Sequence, residues 1–565
     1  MAPNISIKLL KKMSAQNISG SLNSRPIANF HPCPWGDHFL NLTHRDPATH
    51  SEKEQEVKTL KEMVKKDLLA KQQASEPLEE LKFINAIQRL GVGYHFEEDI
   101  EKALERMFES YQDQCDKYDL FHVSLLFRIL RQHGFIVSSD VFKKFKDENG
   151  SFKESLVSDI PGMLSLYEAS YVRVHGDDIL DEAVKFTTTH LKSRMASDLK
   201  SPLAEQVAHA LHQPLHRGMA RLESRHYISF YEKDPSHNRA LLKLSKLDFN
   251  LLQALHKKEL GDLTRWWKSL HVKLPFSRDR STEVYFWMLG TYYEPHFLNA
   301  RKIFSKLFKM VSLVDDTYDA YGTIEELELL TDAIQRWDEG CLDQIPEHVK
   351  WCYQALLETF KEVELELAQE GRSYGLQNVK EQMKILCQAY MQEAKWCHKK
   401  YVPTYDEYME IGYVTSGCPF GIVASFLGMG EMATKEAFEW ACQNPMPKAV
   451  KAVSTINRLM NDMGGHKFEQ TRTHVASSVQ CHVIRHGALS EDHAHEALKD
   501  KVEEAWKDLN EAMLRPFAIP KPLLDRILNL ARASDVVYKG EDGYTIVSQA
   551  MKERETLLLM DPIPI

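Results

Sequence analysis

The feature that most restricts the fold is a helical spacing of apolar residues along nearly the whole chain. In EEDIEKALERMFESY, apolar side chains recur at steps of three and four residues and share one helix face: Ile100, Ala103, Leu104, Met107 and Phe108. Alternating patterns typical of β-strands are scarce, and no repeat of fixed period is found. The sequence therefore predicts an all-α protein.

The length of the chain, 565 residues, exceeds what one hydrophobic core normally supports, so two or more domains are expected. The polar segment YEKDPSHNRA carries a proline between two helical patterns, and we place the domain boundary there. We predict a disordered N-terminus over residues 1–24, a helical N-terminal domain over 25–235 and a second helical domain over 236–565.

Composition excludes several classes of protein. A net charge of −10 and a pI near 6.2 argue against a nucleic-acid-binding protein. An anionic substrate must then be bound by local arginines or by metal ions. Nine cysteines without a CxxC pair indicate a reducing compartment and no structural zinc.

Two segments bear on location. Residues 1–24 have three lysines and no acidic residue, which resembles weak organelle targeting, but they lack arginine, and we favour a cytoplasmic protein. Residues 411–430 are uncharged, yet their glycines and Pro419 favour a buried, broken helix over a membrane span. We expect a monomer with no membrane span.

Two aspartates end a strongly apolar stretch in LVDDTYDAYGT. Asp315 and Asp319 are four residues apart, which places both carboxylates on one face of a helix. Like charges at this spacing repel each other, whereas Mg²⁺ binds a few carboxylates together with phosphate oxygens and water. The segment predicts a magnesium site, although a DDxxD string alone is only moderately specific.

A second set of oxygen ligands occurs in RLMNDMGGHKFEQ. Asn461 and Glu469 lie eight residues apart on one helix face, with Gly465 between them, and their oxygens suit Mg²⁺. A polar helix face without a function is the alternative. Three arginines lie near these motifs, and each guanidinium could bind two phosphate oxygens at once: Arg278, Arg280 and Arg458.

Together these motifs resemble those of plant terpene synthases, most closely the branch that forms sesquiterpenes. RPIANFHPCPW matches the family's arginine–x9–tryptophan element through Arg25 and Trp35, with Pro26 where many monoterpene-forming relatives carry a second arginine. The segments LGVGYHFEEDI, RWWKSL, RDRSTEVYFW, VDDTYDAYGT, TDAIQRWD and EDGYT follow in the family's order. The resemblance therefore covers nearly the whole chain.

The resemblance implies a catalytic C-terminal α-bundle and an N-terminal α-barrel-like domain without its own active site. It implies three Mg²⁺ ions, or Mn²⁺ in their place, bound by Asp315, Asp319, Asn461 and Glu469. Asp316 is expected to support these ligands. Gly465 departs from the family pattern, which has serine or threonine there, so that water would have to complete the metal shell.

For the reaction, the resemblance implies that the metal ions and the three arginines draw diphosphate from a prenyl carbon and leave an allylic cation. The cation needs a dry pocket with aromatic faces, for which the candidates are Trp287, Tyr538 and Tyr544. Core packing is the alternative for each of them, and the resemblance favours the pocket for Trp287 and Tyr544.

Two further segments have two readings each. YKGEDGYT resembles a hinged lid, in which Asp542 either takes part in ending the reaction or lies exposed in a loop. In YVTSGCPFG, a break in the helix would leave backbone carbonyl groups around Ser416 without helical partners. Either these carbonyls point towards a cation, or Pro419 only produces a kink that serves packing.

A second DDxxD string, HGDDILDEAV, begins its aspartates 138 residues earlier, at Asp177. Two such strings occur in chain-elongating prenyl diphosphate synthases, but there an arginine-rich stretch follows the first string, and here EAVKFTTTHL follows. Asp177 and Asp178 come just before a helical pattern, and we predict that they cap that helix.

The predicted activity is that of a carbon–oxygen lyase: magnesium-dependent ionisation of farnesyl diphosphate, cyclisation to a sesquiterpene and release of diphosphate. The Arg25–Pro26 pair and the short leader favour farnesyl over geranyl diphosphate. The alternatives are a monoterpene synthase, a chain-elongating synthase and a non-catalytic isoprenoid-binding paralogue, which only Gly465 favours.

Overall fold

The computed structural model describes residues 30–40, 47–74, 77–197, 199–369, 371–470, 474–485 and 490–565. The predicted disordered N-terminus and the Arg25–Pro26 pair lie outside these ranges. Within them the chain forms α-helices, short 3-10 helices and one isolated β-bridge, Lys146 to Phe152, and no strand. The all-α prediction is confirmed.

In the described ranges, nine α-helices precede the predicted domain boundary: α1 (Pro47–Gln73), α2 (Pro77–Arg89), α3 (Glu97–Glu109), α4 (Tyr111–Lys117), α5 (Leu120–Gln132), α6 (Ile160–Ser170), α7 (Asp178–Ser197), α8 (Leu203–His212) and α9 (Ala220–Lys233). The apolar stripe of α3 is buried as its spacing predicts, except that Phe108 is 39% exposed. Phe108 lies at the edge of the stripe, where its ring packs against Phe135 at 5.0 Å between centroids.

Fourteen α-helices follow within the described residues: α10 (Arg239–His271), α11 (Ser281–Thr291), α12 (Leu298–Ala320), α13 (Ile324–Arg336), α14 (Glu347–Gln369), α15 (Tyr374–His398), α16 (Tyr405–Thr415), α17 (Cys418–Phe426), α18 (Lys435–Ala441), α19 (Lys448–Glu469), α20 (Ser478–Arg485), α21 (Glu491–Ala512), α22 (Lys521–Tyr538) and α23 (Gln549–Leu559). α19 packs on α21 and α22, and α12 packs on α11, α14 and α15. These helices surround the site described below.

The two halves of the chain share a hydrophobic core. α10 packs on α1, and α23 returns from the C-terminus to pack on α9 and α10. One connected set of buried apolar side chains extends from Phe39 to Ile563. The segment 30–40 contributes to this contact, because the Trp35 indole donates a hydrogen bond to Glu555 at 2.7 Å.

The uncharged stretch 411–430 forms two helices with a break between them. Gly417 adopts φ +73°, a left-handed conformation that favours glycine, and Pro419 lies in the first turn of α17. Every residue of α17 is buried. The prediction of a buried, broken helix is confirmed, and none of the helices in the described ranges combines the length and apolar character needed to cross a bilayer.

Candidate active site

A cavity of about 610 Å³ opens beside the C-terminal end of α12, between that helix and parts of α15, α16 and α19. Cavities of this size hold small organic ligands. Its polar lining consists mainly of Arg278, Asp315, Asp319, Glu393, Arg458, Asn461, Glu469 and Asp542. Apolar and aromatic side chains cover other parts of its wall, among them Tyr318, Ile324, Leu327, Tyr390, Tyr408 and Val475. The structure thus brings together six of the residues that the sequence selected.

The first acidic face of the cavity is the last part of α12. The preceding turns are buried, so only the C-terminal end of this helix reaches the cavity. The side chains of Asp315 and Asp319 are 35% and 25% exposed, whereas Asp316 between them is 1% exposed. Burial raises the pKa of Asp316 to about 6, although Arg278 opposes this shift. Neighbouring aspartates of one motif therefore have different environments.

The second acidic face is formed by α19, on which Asn461 and Glu469 both line the cavity. Burial raises the pKa of the Glu469 carboxyl, and His474 opposes the shift. His474 lies between the two faces: Nε2 is 3.2 Å from Oδ1 of Asp319, and Nδ1 is 3.9 Å from Oε2 of Glu469. The carboxylates of α12 and α19 therefore face each other across a single imidazole ring.

In both motifs, the residue that follows the first candidate ligand, Asp316 or Asp462, contacts an arginine. Oδ1 of Asp316 lies 2.6 Å from Nε of Arg278, and Oδ1 of Asp462 lies 2.6 Å from Nη2 of Arg458. Asp462 is 1% exposed and also accepts a hydrogen bond from the Tyr408 hydroxyl at 2.8 Å. Asp316 therefore has the supporting position that the resemblance implies, and Asp462 has the equivalent position on α19.

The donor set of the two faces fits a hard divalent cation. Asp315, Asp319, Asn461 and Glu469 offer oxygen ligands, as Mg²⁺ prefers. Carboxylates that converge on one cavity repel each other, and a cation removes that repulsion. At Gly465 a β-carbon would lie 3.2 Å from Oε1 of Glu469, the end of a flexible side chain, so a larger residue there would require only a small shift of that carboxylate.

Arg278 lies at the edge of the cavity and is 8% exposed. Its Nη2 pairs with Asp315, and its Nη1 donates to Oγ1 of Thr545 at 3.0 Å. The guanidinium carbon is 5.2 Å from the centre of the Tyr544 ring and 4.9 Å from that of Phe30, both within range of cation–π attraction. Arg278 is therefore held between the acidic end of α12 and two aromatic rings.

Arg280, two residues further on, does not line the cavity. It is fully buried and donates hydrogen bonds at 3.0 Å to the backbone carbonyls of His31, Tyr544 and Thr545. A further N–H donates to the carbonyl of Asp279 at 3.1 Å. With its donors used in this way, Arg280 joins the segment 30–40 and the C-terminal loop to the catalytic half.

Of the three aromatic candidates, Trp287 and Tyr544 are buried, whereas Tyr538 is partly buried and lines a second cavity, beside α19 and α21. Trp287 is 2% exposed, and its ring packs at 5.8 Å from Phe308 and 5.9 Å from Tyr538. The hydroxyl of Tyr544 donates to Oγ of Ser312 at 2.7 Å. None of the three is among the residues that line the first cavity in the described part of the chain. Their observed contacts are those of core packing, and Tyr544 additionally contacts Arg278.

The loop after α22 closes one side of the cavity. Asp542 is 9% exposed, and its Oδ1 accepts hydrogen bonds from the backbone N–H groups of Tyr544 at 3.0 Å and Thr545 at 2.9 Å. The expectation of an exposed loop aspartate is wrong, because this carboxylate organises the turn. Gly464 of α19 allows the close approach, since a β-carbon there would lie 2.9 Å from the carbonyl group of Glu541.

Sequence reasoning missed Glu393 of α15. It lies seven residues after Leu386, on the buried face of the helix, and accepts a hydrogen bond from the Thr415 hydroxyl at 2.7 Å. Burial raises its pKa to about 7, which Arg458 opposes. An acidic residue in a helical apolar stripe was the available signal. No comparable signal marks His474, which reaches the site only through the fold.

The second DDxxD string lies outside the cavity. Asp177 is 7% exposed and lies 3.1 Å from Nη1 of Arg131, while Ser139 donates to it at 2.7 Å. Its other hydrogen bond comes from the N–H of Val174, which precedes α7, so the predicted side-chain cap is wrong for Asp177. The buried guanidinium competes successfully for this carboxylate. Asp178 lies exposed in the first turn of α7, where it suits the helix dipole.

Asp181, the last aspartate of this string, joins the two halves of the chain. It lies 2.8 Å from Nε of Arg173 and 3.0 Å from Nζ of Lys507 on α21. Glu503 of α21 extends the network to Arg173 at 2.7 Å and to Arg217 at 2.6 Å. The string therefore contributes to packing between the halves.

Comparison with known proteins agrees with this geometry. Residues 34–211 match the family model "Terpene synthase, N-terminal domain", and residues 268–508 match "Terpene synthase family, metal binding domain". A probable sesquiterpene synthase of Santalum murrayanum is 52% identical over 546 residues, which covers 96% of each chain. The (−)-germacrene D synthase of Vitis vinifera is 52% identical over 553 residues, or 98% of each chain.

Two solved structures are similar over most of the chain. Isoprene synthase from grey poplar, in complex with three Mg²⁺ ions and dimethylallyl-S-thiolodiphosphate, has a TM-score of 0.85 at 36% identity, covering 91% of this chain and 98% of that one. Limonene synthase with 2-fluorolinalyl diphosphate has a TM-score of 0.89 at 29% identity, covering 96% and 100%. The two domain matches, the full-length relatives and the paired acidic faces lead to one conclusion: the chain belongs to the terpene synthase family.

Proposed function

We propose that the protein is a sesquiterpene synthase that ionises farnesyl diphosphate, cyclises the resulting carbocation and releases diphosphate. One observation carries the reaction class: two helix faces with carboxylate and amide oxygens oppose each other across a cavity, and each is accompanied by an arginine that pairs with a buried aspartate of the same motif. The choice of a fifteen-carbon substrate is supported by full-length relatives that are named sesquiterpene synthases.

The residues that would hold magnesium are Asp315, Asp319, Asn461 and Glu469, and three ions are expected. When bound, the ions neutralise the diphosphate and favour its departure as a leaving group. The net-acidic chain requires such help, because Arg278 and Arg458 are the two arginines that line the cavity within the described ranges.

The chain's own residues then divide the remaining work. Arg278 and Arg458 bind diphosphate oxygens, so that the bond from the first prenyl carbon to oxygen breaks and its electron pair leaves with the diphosphate. The apolar wall excludes water, which would otherwise quench the allylic cation. Attack by a distal double bond closes the ring, and loss of a proton or capture of water gives the neutral product.

Three predicted site residues receive other parts in this proposal. Arg280 positions the C-terminal loop, Tyr544 supports Arg278 through its ring, and Trp287 shapes the wall from behind. We assign the chemistry to residues 236–565 and a supporting part to residues 25–235. We also propose that the protein acts as a monomer, and in the cytoplasm, for which the support is its nine cysteines without a CxxC pair.

The test is product analysis with purified full-length protein, Mg²⁺ and either farnesyl or geranyl diphosphate. We expect cyclic sesquiterpenes, with a higher kcat/KM for farnesyl diphosphate and no turnover in excess chelator. A higher kcat/KM for geranyl diphosphate would indicate a monoterpene synthase, and a longer prenyl diphosphate product would indicate chain elongation. Turnover that persists in chelator would contradict the metal-dependent mechanism, and binding without any product would indicate a non-catalytic paralogue.

A further inference from the structure

A lysine is buried beneath the diphosphate-binding edge of the cavity. Lys309 of α12 is 1% exposed, and its Nζ lies 4.0 Å from the centre of the Trp267 ring. It precedes Asp316 by seven residues, or about two helical turns, so both side chains lie on the same face of α12. Lys309 does not itself line the cavity.

The burial of Lys309 is costly. Desolvation lowers its pKa to about 8, although the carboxylates of Asp316 and Asp279 oppose the shift. An apolar side chain of similar length at this position would avoid the cost, as replacements of buried charged groups often do. The lysine must therefore provide something that hydrophobic packing does not.

What Lys309 provides is a hydrogen bond to the backbone of Arg278. Nζ donates to the Arg278 carbonyl at 2.6 Å, while the Arg278 N–H donates to Oδ2 of Asp316 at 2.7 Å. The same helix face thus fixes the residue through both of its backbone polar groups. Between the two contacts, Ser312 accepts the hydroxyl of Tyr544, whose ring packs on the Arg278 guanidinium.

We propose that Lys309 is a positioning residue for the ionisation step, which holds the backbone of Arg278 so that its guanidinium meets the departing diphosphate. This inference rests on the proposed function, in which Arg278 binds that group. Displacement of a positioned group by about 1 Å can reduce a rate by about a hundredfold. A residue that touches neither substrate nor metal can therefore influence turnover through Arg278.

A second buried lysine of α12 provides a matched control. Lys306 is 5% exposed and lies one turn earlier, with its Nζ 5.8 Å from the Trp266 ring. Its partners are Glu362 and Glu366, at 2.5 Å and 3.4 Å, and it has no contact with Arg278 among the described hydrogen bonds. Lys306→Met removes a buried ammonium group without disturbing the arginine.

The experiment compares Lys309→Met and Lys306→Met in the full-length protein. Four quantities are measured: Tm, kcat and KM with farnesyl diphosphate, and the calorimetric Kd of inorganic pyrophosphate in Mg²⁺. For Lys309→Met we expect an unchanged or higher Tm, a kcat at least about tenfold lower with a smaller change in KM, and a Kd about tenfold weaker. For Lys306→Met we expect a lower Tm with wild-type kcat and Kd.

Wild-type kcat and Kd in folded Lys309→Met would overturn the inference, and so would equal losses of both in Lys306→Met. If Lys309→Met does not fold, Lys309→Gln takes its place, because glutamine is polar but too short to reach the carbonyl as lysine does. A wild-type Kd in that variant would overturn the inference as well. Absence of product from the wild-type protein would instead contradict the proposed function, whatever the lysine variants do.

Discussion

Two segments of this protein share the sequence motif DDxxD, but their aspartates lie in different environments. Asp315 and Asp319 line a cavity and stay partly exposed. Asp177 is buried against Arg131, and Asp181 joins the two halves of the chain through Lys507. The first and last aspartates are four residues apart in both strings, although Asp177 precedes the first residue of α7. Both strings have cationic partners from distant parts of the chain, and what differs is that Asp315 and Asp319 line a cavity while Asp177 is buried away from one.

The comparison shows how a metal-ligand face remains available. In the cavity, Arg278 contacts both the buried Asp316 and Asp315, and Asp315, which is 35% exposed, still has a side that faces the cavity. In the other string, the leading aspartate itself is buried by the guanidinium. Two aspartates that stay partly exposed beside a buried aspartate can bind a cation, whereas a carboxylate that is buried against protein partners contributes to packing.

The largest effect is expected for Asp315→Asn. It removes one charge from a proposed metal ligand and weakens the contact with Arg278, and a loss of about 3 kcal/mol of transition-state stabilisation corresponds to roughly a hundredfold slower turnover. The measurement is the single-turnover rate at saturating Mg²⁺, with Tm as the check on folding. Asp332→Asn on the exposed side of α13 serves as the control and should keep the wild-type rate.

If folded Asp315→Asn keeps a rate within threefold of wild type, this would contradict the proposed difference in function between the two DDxxD strings.

The next effect is on stability and comes from Asp177→Asn. The substitution leaves the buried guanidinium of Arg131 without its counter-charge, and breaking such a pair costs about 3 kcal/mol. We expect a lower urea midpoint and Tm, but a wild-type rate below the melting range. Asp178→Asn, in the same string but exposed, should change the unfolding free energy by only a few tenths of a kcal/mol, through the helix dipole. A loss of turnover in folded Asp177→Asn would instead make the first string part of a second active site.

The smallest effect concerns pH and the network around Asp181. Burial alone would raise the pKa of Glu503, but Arg217 and Arg173 outweigh it and lower the pKa to about 2. An unfolded glutamate titrates near about 4.3, so this contribution to stability is complete above that pH and is lost as the pH falls towards about 2. Glu503 is 37% exposed, and solvent screening keeps the effect small.

The measurement for this prediction is Tm as a function of pH between about 4.5 and 2, for wild type and Glu503→Gln. Wild type should lose more Tm over that interval than the variant does. Parallel curves would show that the network does not contribute through this carboxylate.

The sequence alone was sufficient to predict the relative positions of those site residues that lie on the same helix. The spacing of Asp315 and Asp319 places them on one face whatever surrounds them, and the same holds for Asn461 and Glu469. Arg458 could be selected because it lies on the same helix as its partner Asp462. Local geometry settles such relations before the chain folds.

Contacts between distant segments could not be predicted in this way. Arg278 and Arg280 are two residues apart and of one type, yet one reaches the cavity and the other binds four carbonyl groups. Trp287 has its place in the core because of Phe308 and Tyr538, which no spacing reveals. The helix cap predicted for Asp177 failed for the same reason: its partner Arg131 lies 46 residues away.

The bonds of Arg280 also set an order of assembly. Its guanidinium binds carbonyl groups of His31, near the start of the described chain, and of Tyr544 and Thr545, near its end. During translation, the segment 30–40 is synthesised about 240 residues before its binding partner Arg280. The C-terminal loop that Arg280 also binds follows about 510 residues after that segment. The edge of the cavity that holds Arg278 can therefore take its final form only when synthesis is almost complete. A nascent chain therefore has most of its helices before the edge of the cavity that holds Arg278 can be complete.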